Sequence, residues 1–199
     1  MTREWTLEVP ASLSNLGPGF DCLGLALSIR NRFRFRLEPG LVDPAPADGD
    51  LVLATAARAA ARFGTPLPGR LLVEQTEAIP RARGLGSSAT ARVAGYLAWR
   101  AFAGRDVSTA EALAFLAAEE GHPDNVVPAL LGGLTLASLD EGGFRHLRLD
   151  PPRDLSVALA IPERVLLTAD ARRVLPPTVP RADAVFNVSR VAFLLAGLV

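Results

Sequence analysis

The sequence predicts an α+β fold, with strands and helices mixed along the chain and neighbouring strands placed to pair antiparallel. Three observations carry this. Asn31 to Leu37 alternates Phe33, Phe35 and Leu37 with Arg32, Arg34 and Arg36, the period-2 pattern of a strand with one wet face. Leu51 to Phe63 is Ala-rich and stops at Gly64, and Ser87 to Ala103 stops at Gly104, the composition and punctuation of helices. Leu134 to Leu139 and Phe144 to Leu149 are strand-like and close in sequence, so they can be neighbours in one sheet.

Taken in order, Trp5 to Val9 reads as the first strand and Ser12 to Gly24, rich in Gly, Ser and Asn, as a loop. The Asn31 to Leu37 strand leads into a second loop, Pro39 to Gly49, which holds three prolines. The Leu51 helix follows, then a short strand, Leu71 to Gln75. The Ser87 helix carries Val93, Leu97 and Ala101 at i, i+4 and i+8 on its inner face. Ser108 to Glu119 is helical, with Ser108 and Glu111 spaced as a capping box. Asp124 to Leu131 is a further helix, stopped by Gly132 and Gly133. After the strand pair comes a third strand-like segment, Leu155 to Ile161, with Asp150-Pro151-Pro152-Arg153 as the linker before it. Ala182 to Val199 reads as an apolar helix, with Ala184, Val185, Val188, Val191, Ala192 and Leu195 on one stripe.

At 199 residues, 49% of them hydrophobic, the chain can bury one good core and part of a second. Its 21 basic and 21 acidic residues cancel, so no electrostatic footprint for nucleic acid or an anionic membrane is predicted and the expected partner is a small molecule. All 21 basic residues are arginine. The absence of lysine excludes the lysine-based phosphate clamps of P-loop proteins and of protein kinases. Nucleotide chemistry here must therefore use backbone N–H groups, a metal ion and Arg. A lone cysteine, Cys22, rules out an internal disulfide, and no apolar stretch is long enough for a membrane span, so a cytoplasmic protein is expected.

Gly84-Leu85-Gly86-Ser87-Ser88-Ala89 lies between a strand and a strong helix. Two glycines let backbone N–H groups approach a ligand, and a helix start adds free donors and partial positive charge, which together suit a triphosphate. With Ser87 as N-cap the third helical position is Thr90, not an acid that would occupy those donors. An ordinary glycine turn before a helix is the alternative, and short glycine motifs alone do not decide between them.

Three ordered motifs extend that reading. Pro80-Arg81-Ala82-Arg83-Gly84-Leu85-Gly86-Ser87-Ser88-Ala89 resembles the phosphate loop of the GHMP small-molecule kinases. The segment from Val9 through Asn15, Gly17, Gly19 and Asp21 to Gly24 resembles the N-terminal motif of the homoserine kinases within that family. Gly121-His122-Pro123-Asp124-Asn125, continuing to Gly133, is similar to a third homoserine-kinase segment.

The resemblance implies a GHMP-kinase N-terminal, ATP-binding domain of the ribosomal protein S5 domain 2-like fold over residues 1–152. It also implies an incomplete ferredoxin-like C-terminal domain over 153–199, because the family's C-terminal glycine-rich motif is absent. The implied activity is ATP-dependent phosphorylation of L-homoserine in threonine biosynthesis. Another GHMP kinase, or an inactive nucleotide-binding fragment that self-associates, are the alternatives. By the same resemblance, Pro80, Arg81, Ala82, Arg83, Gly84, Leu85, Gly86, Ser87, Ser88 and Ala89 bind ATP. Ser88 (or Ser87) and Glu120 (or Glu119) hold Mg²⁺, an ion that takes hard oxygen ligands. Asn15, Asp21, Asn125 and Arg172 line the substrate pocket, the last as a fork for the substrate carboxylate, and Asp21, Asn125 and Arg172 serve the reaction. His122 is read as structural and Arg81 and Arg83 as solvated. The expected assembly is a homodimer.

Overall fold

The computed structural model describes residues 3–40, 49–141, 143–163 and 168–198. Strand β1 (Arg3–Ser14) pairs antiparallel with β2 (Leu23–Pro39), a strand of 17 residues. Both run further than the alternation of Phe33, Phe35 and Leu37 suggests. Beyond a register shift between Pro10 and Ser12 the pairing continues from Ser12 opposite Ala26 to Ser14 opposite Gly24, inside the stretch read as loop. Leu23, Gly24 and Leu25 are all buried, so the period-2 signal is lost where β2 has cover on both faces.

The opposite edge of β2 is divided. Strand β3 (Gly69–Thr76) pairs with its second half, from Arg32 opposite Thr76 to Pro39 opposite Gly69. Strand β4 (Leu134–Asp140) pairs with its start, from Leu23 opposite Leu136 to Leu25 opposite Leu134. A hairpin then adds β5 (Gly143–Leu149) to β4, completing a five-stranded antiparallel sheet.

Helices α1 (Leu51–Phe63), α2 (Ser87–Ala103), α3 (Thr109–Glu120) and α4 (Val126–Leu131) pack with the sheet around one core. Trp99, Tyr96, Phe33 and Phe35 are fully buried there. Phe63 stacks on Trp99 at 5.1 Å and meets Phe115 edge-on at 5.6 Å, while the Trp99 indole N–H donates to the Thr65 carbonyl at 2.8 Å. On the wet face, Arg32 pairs with Glu8 and Arg34 with Glu4. The caps are written in sequence. The Asp50 carboxylate accepts from the Leu53 N–H, the Ser108/Glu111 capping box is complete, and Gly64, Gly104 and Gly121 end their helices in the left-handed region.

Residues past β5 differ from expectation. Leu155 to Ile161 alternates, yet the segment is irregular and pairs with no strand among the described residues. Alternation alone does not make a strand without a neighbour to accept its ladder. Leu159 instead packs beside the small cluster of Ala11, Ile79 and Leu85. Thr168–Arg173, which carries no helical pattern of note, forms the short helix α5. Helix α6 (Arg181–Leu198) has no buried residue, and Val185, Phe186, Val188 and Phe193 are 58–70% exposed. The proline loop over 41–48 and Val199 at the end of the last expected helix lie outside the described residues. No described helix is long and apolar enough to cross a membrane.

Candidate active site

The end of β1 and the loop that follows it, the start of α1, strand β3, the loop before α2, the end of α3 and helix α5 line a cavity of about 960 Å³. Of the residues singled out from sequence, Asn15, Asp21, Arg81 through Ser88, Glu120, Asn125 and Arg172 line it. Pro80 and Ala89 do not: Pro80 is exposed on the approach to the loop, and Ala89 is packed in the core at 0% exposure.

Ala82, Gly84 and Gly86 have φ of 53°, 72° and 68°, whereas Arg83 and Leu85 between them do not lie in that region. Alternation of hand is the backbone pattern that lets successive N–H groups face one side and take up an anion. Gly86, not Ser87, is the N-cap of α2, and no side chain caps the helix. The donors of its first turn are thus unclaimed by a cap, and no acid stands there. A Cβ on Gly86 would sit 2.2 Å from Ser12 Oγ and 3.0 Å from Asn125 Oδ1, so only glycine fits between the loop and its supports.

Two of those supports escaped the sequence reading. Ser12, buried at 0% exposure, donates from Oγ to Asn125 Oδ1 at 2.8 Å and from its backbone N–H to the Leu85 carbonyl at 3.2 Å. Asn31, equally buried, accepts at Oδ1 from the N–H groups of Ala78 and Ile79 and donates to Thr90 Oγ1, tying the start of the loop to α2. Their only sequence signal is position: Ser12 stands between Ala11 and Leu13, and Asn31 falls on the face that Ile29, Phe33 and Phe35 make apolar.

At one wall, Ser88 Oγ donates to Glu120 Oε1, and Arg92 Nε donates to Glu120 Oε2 at 2.6 Å. The Glu120 side chain is 6% exposed. Glu119, adjacent in sequence, does not line the cavity and is held by Arg58 on α1. Ser88 and Glu120 together offer hard oxygens of the kind Mg²⁺ takes, next to a site shaped for phosphate. They fit such an ion.

At the other wall, Asp21 accepts from both terminal nitrogens of Arg172, one of them at 2.9 Å, and the guanidinium lies 5.3 Å from the centre of the Phe20 ring. Asn15, Leu16 and Asp21 all have positive φ, and Asn15 Oδ1 accepts the Asp21 N–H at 3.0 Å. Asn15 therefore shapes the loop that presents Asp21, as well as lining the cavity. His122, read as structural, also lines it, with Nδ1 2.6 Å from Oδ1 of the buried Asp124. This hydrogen bond raises the histidine's affinity for a proton above the ordinary value, against the opposing effect of burial. A Cβ on Gly24 would lie 2.0 Å from the Asp124 carbonyl, so the glycine lets β2 carry this segment at contact distance.

A glycine-rich turn before an uncapped helix, a hard-oxygen pair and an acid–arginine pair thus share one cavity, an arrangement with the chemistry to take a phosphorylated ligand beside a zwitterion. Residues 50–133 match the model for the GHMP kinases N-terminal domain. A homoserine kinase of Trichormus variabilis is 42% identical over 203 residues, covering 97% of this chain and 67% of the relative. One from Thermosynechococcus vestitus is 45% identical over 204 residues, covering 96% and 67%. Among solved structures, a homoserine kinase from Cytophaga hutchinsonii superposes with a TM-score of 0.79 at 27% identity, over 98% of this chain and 67% of that one. The chain thus spans about two thirds of the length of each of these proteins.

Proposed function

We propose, from the premise that the chain belongs to the homoserine kinases of the GHMP kinase family, that this cavity transfers the γ-phosphoryl group of ATP to the hydroxyl of L-homoserine. The observation that carries the reading is the shared cavity: a phosphate-type loop feeding an uncapped helix stands across from a carboxylate and a guanidinium. The backbone N–H groups of 84–88 hold the triphosphate. Ser88 and Glu120 would hold Mg²⁺, which supplies charge neutralisation when bound.

Homoserine carries an α-ammonium, an α-carboxylate and the reacting hydroxyl. Asp21 accepts from the ammonium and Arg172 forks onto the carboxylate, so the two charges now satisfying each other are exchanged for those of the substrate. Asn125, its carbonyl oxygen fixed by Ser12, orients the hydroxyl. The hydroxyl oxygen bonds to the γ-phosphorus, the bond to the β–γ bridging oxygen breaks, ADP leaves, and the hydroxyl proton passes to an oxygen of the transferred phosphoryl group and on to water. Positioning and charge neutralisation carry such a transfer, so no dedicated base is required. We read residues 1–152 as the nucleotide-binding unit and 153–199 as the start of a second domain.

ADP release with L-homoserine, L-threonine and mevalonate as acceptors tests the reading. L-homoserine should be strongly preferred: mevalonate has no ammonium for Asp21, and a polar group left without its partner costs about 1–3 kcal/mol, while L-threonine carries its hydroxyl one carbon nearer the charged groups and so out of line for attack. Equal turnover of mevalonate would overturn the substrate.

A further inference from the structure

We infer that Arg92 prevents the Ser88–Glu120 pair from taking a divalent cation by itself, so that metal enters only with the phosphates of the nucleotide. The inference rests on the metal reading above.

Arg92 lies one turn after Ser88 on α2 and faces the end of α3. Its side chain is 16% exposed, against 6% for Glu120 and 18% for Glu119. Nε donates to Glu120 Oε2 at 2.6 Å, and Nη1 lies 3.7 Å from Glu119 Oε2. Glu119 is in turn held by Arg58. The four side chains form a charge-balanced set of two acids and two arginines.

The two oxygens of Glu120 are therefore unequal. Oε1 meets a neutral hydroxyl, which can turn its proton away and offer a lone pair to a metal. Oε2 is held by a permanent cation. A metal on this pair thus finds one carboxylate oxygen, one hydroxyl and a guanidinium already cancelling the carboxylate charge. In a site this enclosed the guanidinium repels a divalent ion more strongly than it would in water. Magnesium sites of this kind draw most of their ligands from phosphate and water, and the negative charge missing from the protein is what a triphosphate brings.

Arg92 is on this account a positioning residue with a defined sign: removing it makes the empty protein a better metal binder. A role confined to packing α2 against α3 predicts no such gain. The test is Mn²⁺ titration followed by electron paramagnetic resonance, with and without the imido analogue of ATP. It compares wild type, Arg92→Met, Arg92→Gln, Arg92→Lys, Glu120→Gln and the double variant Arg92→Met/Glu120→Gln. Without nucleotide, Arg92→Met and Arg92→Gln should bind Mn²⁺ on the order of tenfold more tightly than wild type, since a nearby like charge is gone. Arg92→Lys, which keeps the charge, should stay at the wild-type affinity, and the double variant should lose the gain. Should Arg92→Met not fold, Arg92→Gln carries the same expectation with the smaller change. Unchanged or weaker binding of free Mn²⁺ in a folded Arg92 variant, alongside weakened binding of Mn²⁺ with nucleotide in Glu120→Gln, overturns the role of Arg92 alone. Undiminished binding of Mn²⁺ with nucleotide in Glu120→Gln overturns the metal reading itself.

Discussion

Residues 3–149 and residues 150–198 both reach the cavity, but they are held in place by different forces. The first region anchors its side chains on a core that buries Trp99, Tyr96, Phe33 and Phe35 completely. The second has no buried residue in α6, and apart from Leu159 beside Ala11, Ile79 and Leu85 its described residues meet the first region through scattered polar ties. Arg172 pairs with Asp21, Asn187 donates to the Pro18 carbonyl at 2.7 Å, and Arg83 donates to the Glu163 carbonyl. Packing is cooperative and costly to undo, whereas half-exposed polar pairs contribute roughly 0–1 kcal/mol each. The cavity thus has a closely packed floor in the first region and a weakly tethered wall in the second.

The largest expected effect is on the floor. Trp99→Ala should lower unfolding free energy by about 3–5 kcal/mol, measured by urea denaturation, because the cavity forms at the centre of the aromatic cluster. A loss below about 1 kcal/mol would mean that the core is not the anchor.

Arg172→Met sharpens the contrast from the other side. Arg172 and its partner Asp21 are 38% and 33% exposed, so the variant should change stability by less than about 1 kcal/mol. Kinetically it should raise KM for L-homoserine and lower kcat/KM on the order of 10–100-fold, the value of a lost charged hydrogen bond. A large loss of stability would show that the ion pair fastens the wall.

His122 gives a pH-dependent effect within the floor. Its hydrogen bond to Asp124 raises its folded-state pKa above the ordinary 6.5. The stabilisation is therefore complete below the unfolded-state value and is lost as pH rises through the raised folded-state value. From about pH 6 to about pH 9 the urea midpoint should fall by a step that His122→Gln lacks. Identical profiles would remove this contribution.

The smallest effect belongs to α6. Phe186 is 58% exposed, and Phe186→Ser should shift stability by less than about 0.5 kcal/mol. A larger loss would mean that this face is covered in solution.

Local signals made much of the floor legible. The Phe/Arg alternation marks the second half of β2, Ser108 with Glu111 marks the start of α3, and Gly84 with Gly86 marks the left-handed turn before α2. These features depend on neighbours within a few residues. The supports of the site do not. Ser12 and Asn125 are 113 residues apart, and nothing near either names the other. Arg92 reads as an ordinary helical arginine until α3 brings Glu120 to it. The alternation of Leu155 to Ile161 misleads for the converse reason: side-chain period is local, but a strand is a property of two segments.

The divided edge of β2 has a consequence during synthesis. Its second half is covered soon after it emerges, because β3 begins at Gly69. Its first half waits for β4 at Leu134, and the Ser12–Asn125 contact waits as long. At about 5–20 residues per second, the 113-residue separation is a delay of roughly 6–23 s with an open strand edge on the ribosome. An unpaired edge invites the wrong neighbour. For those seconds the nascent chain carries the first half of β2 as an open template for pairing, and the Ser12–Asn125 contact beside the cavity closes only after it.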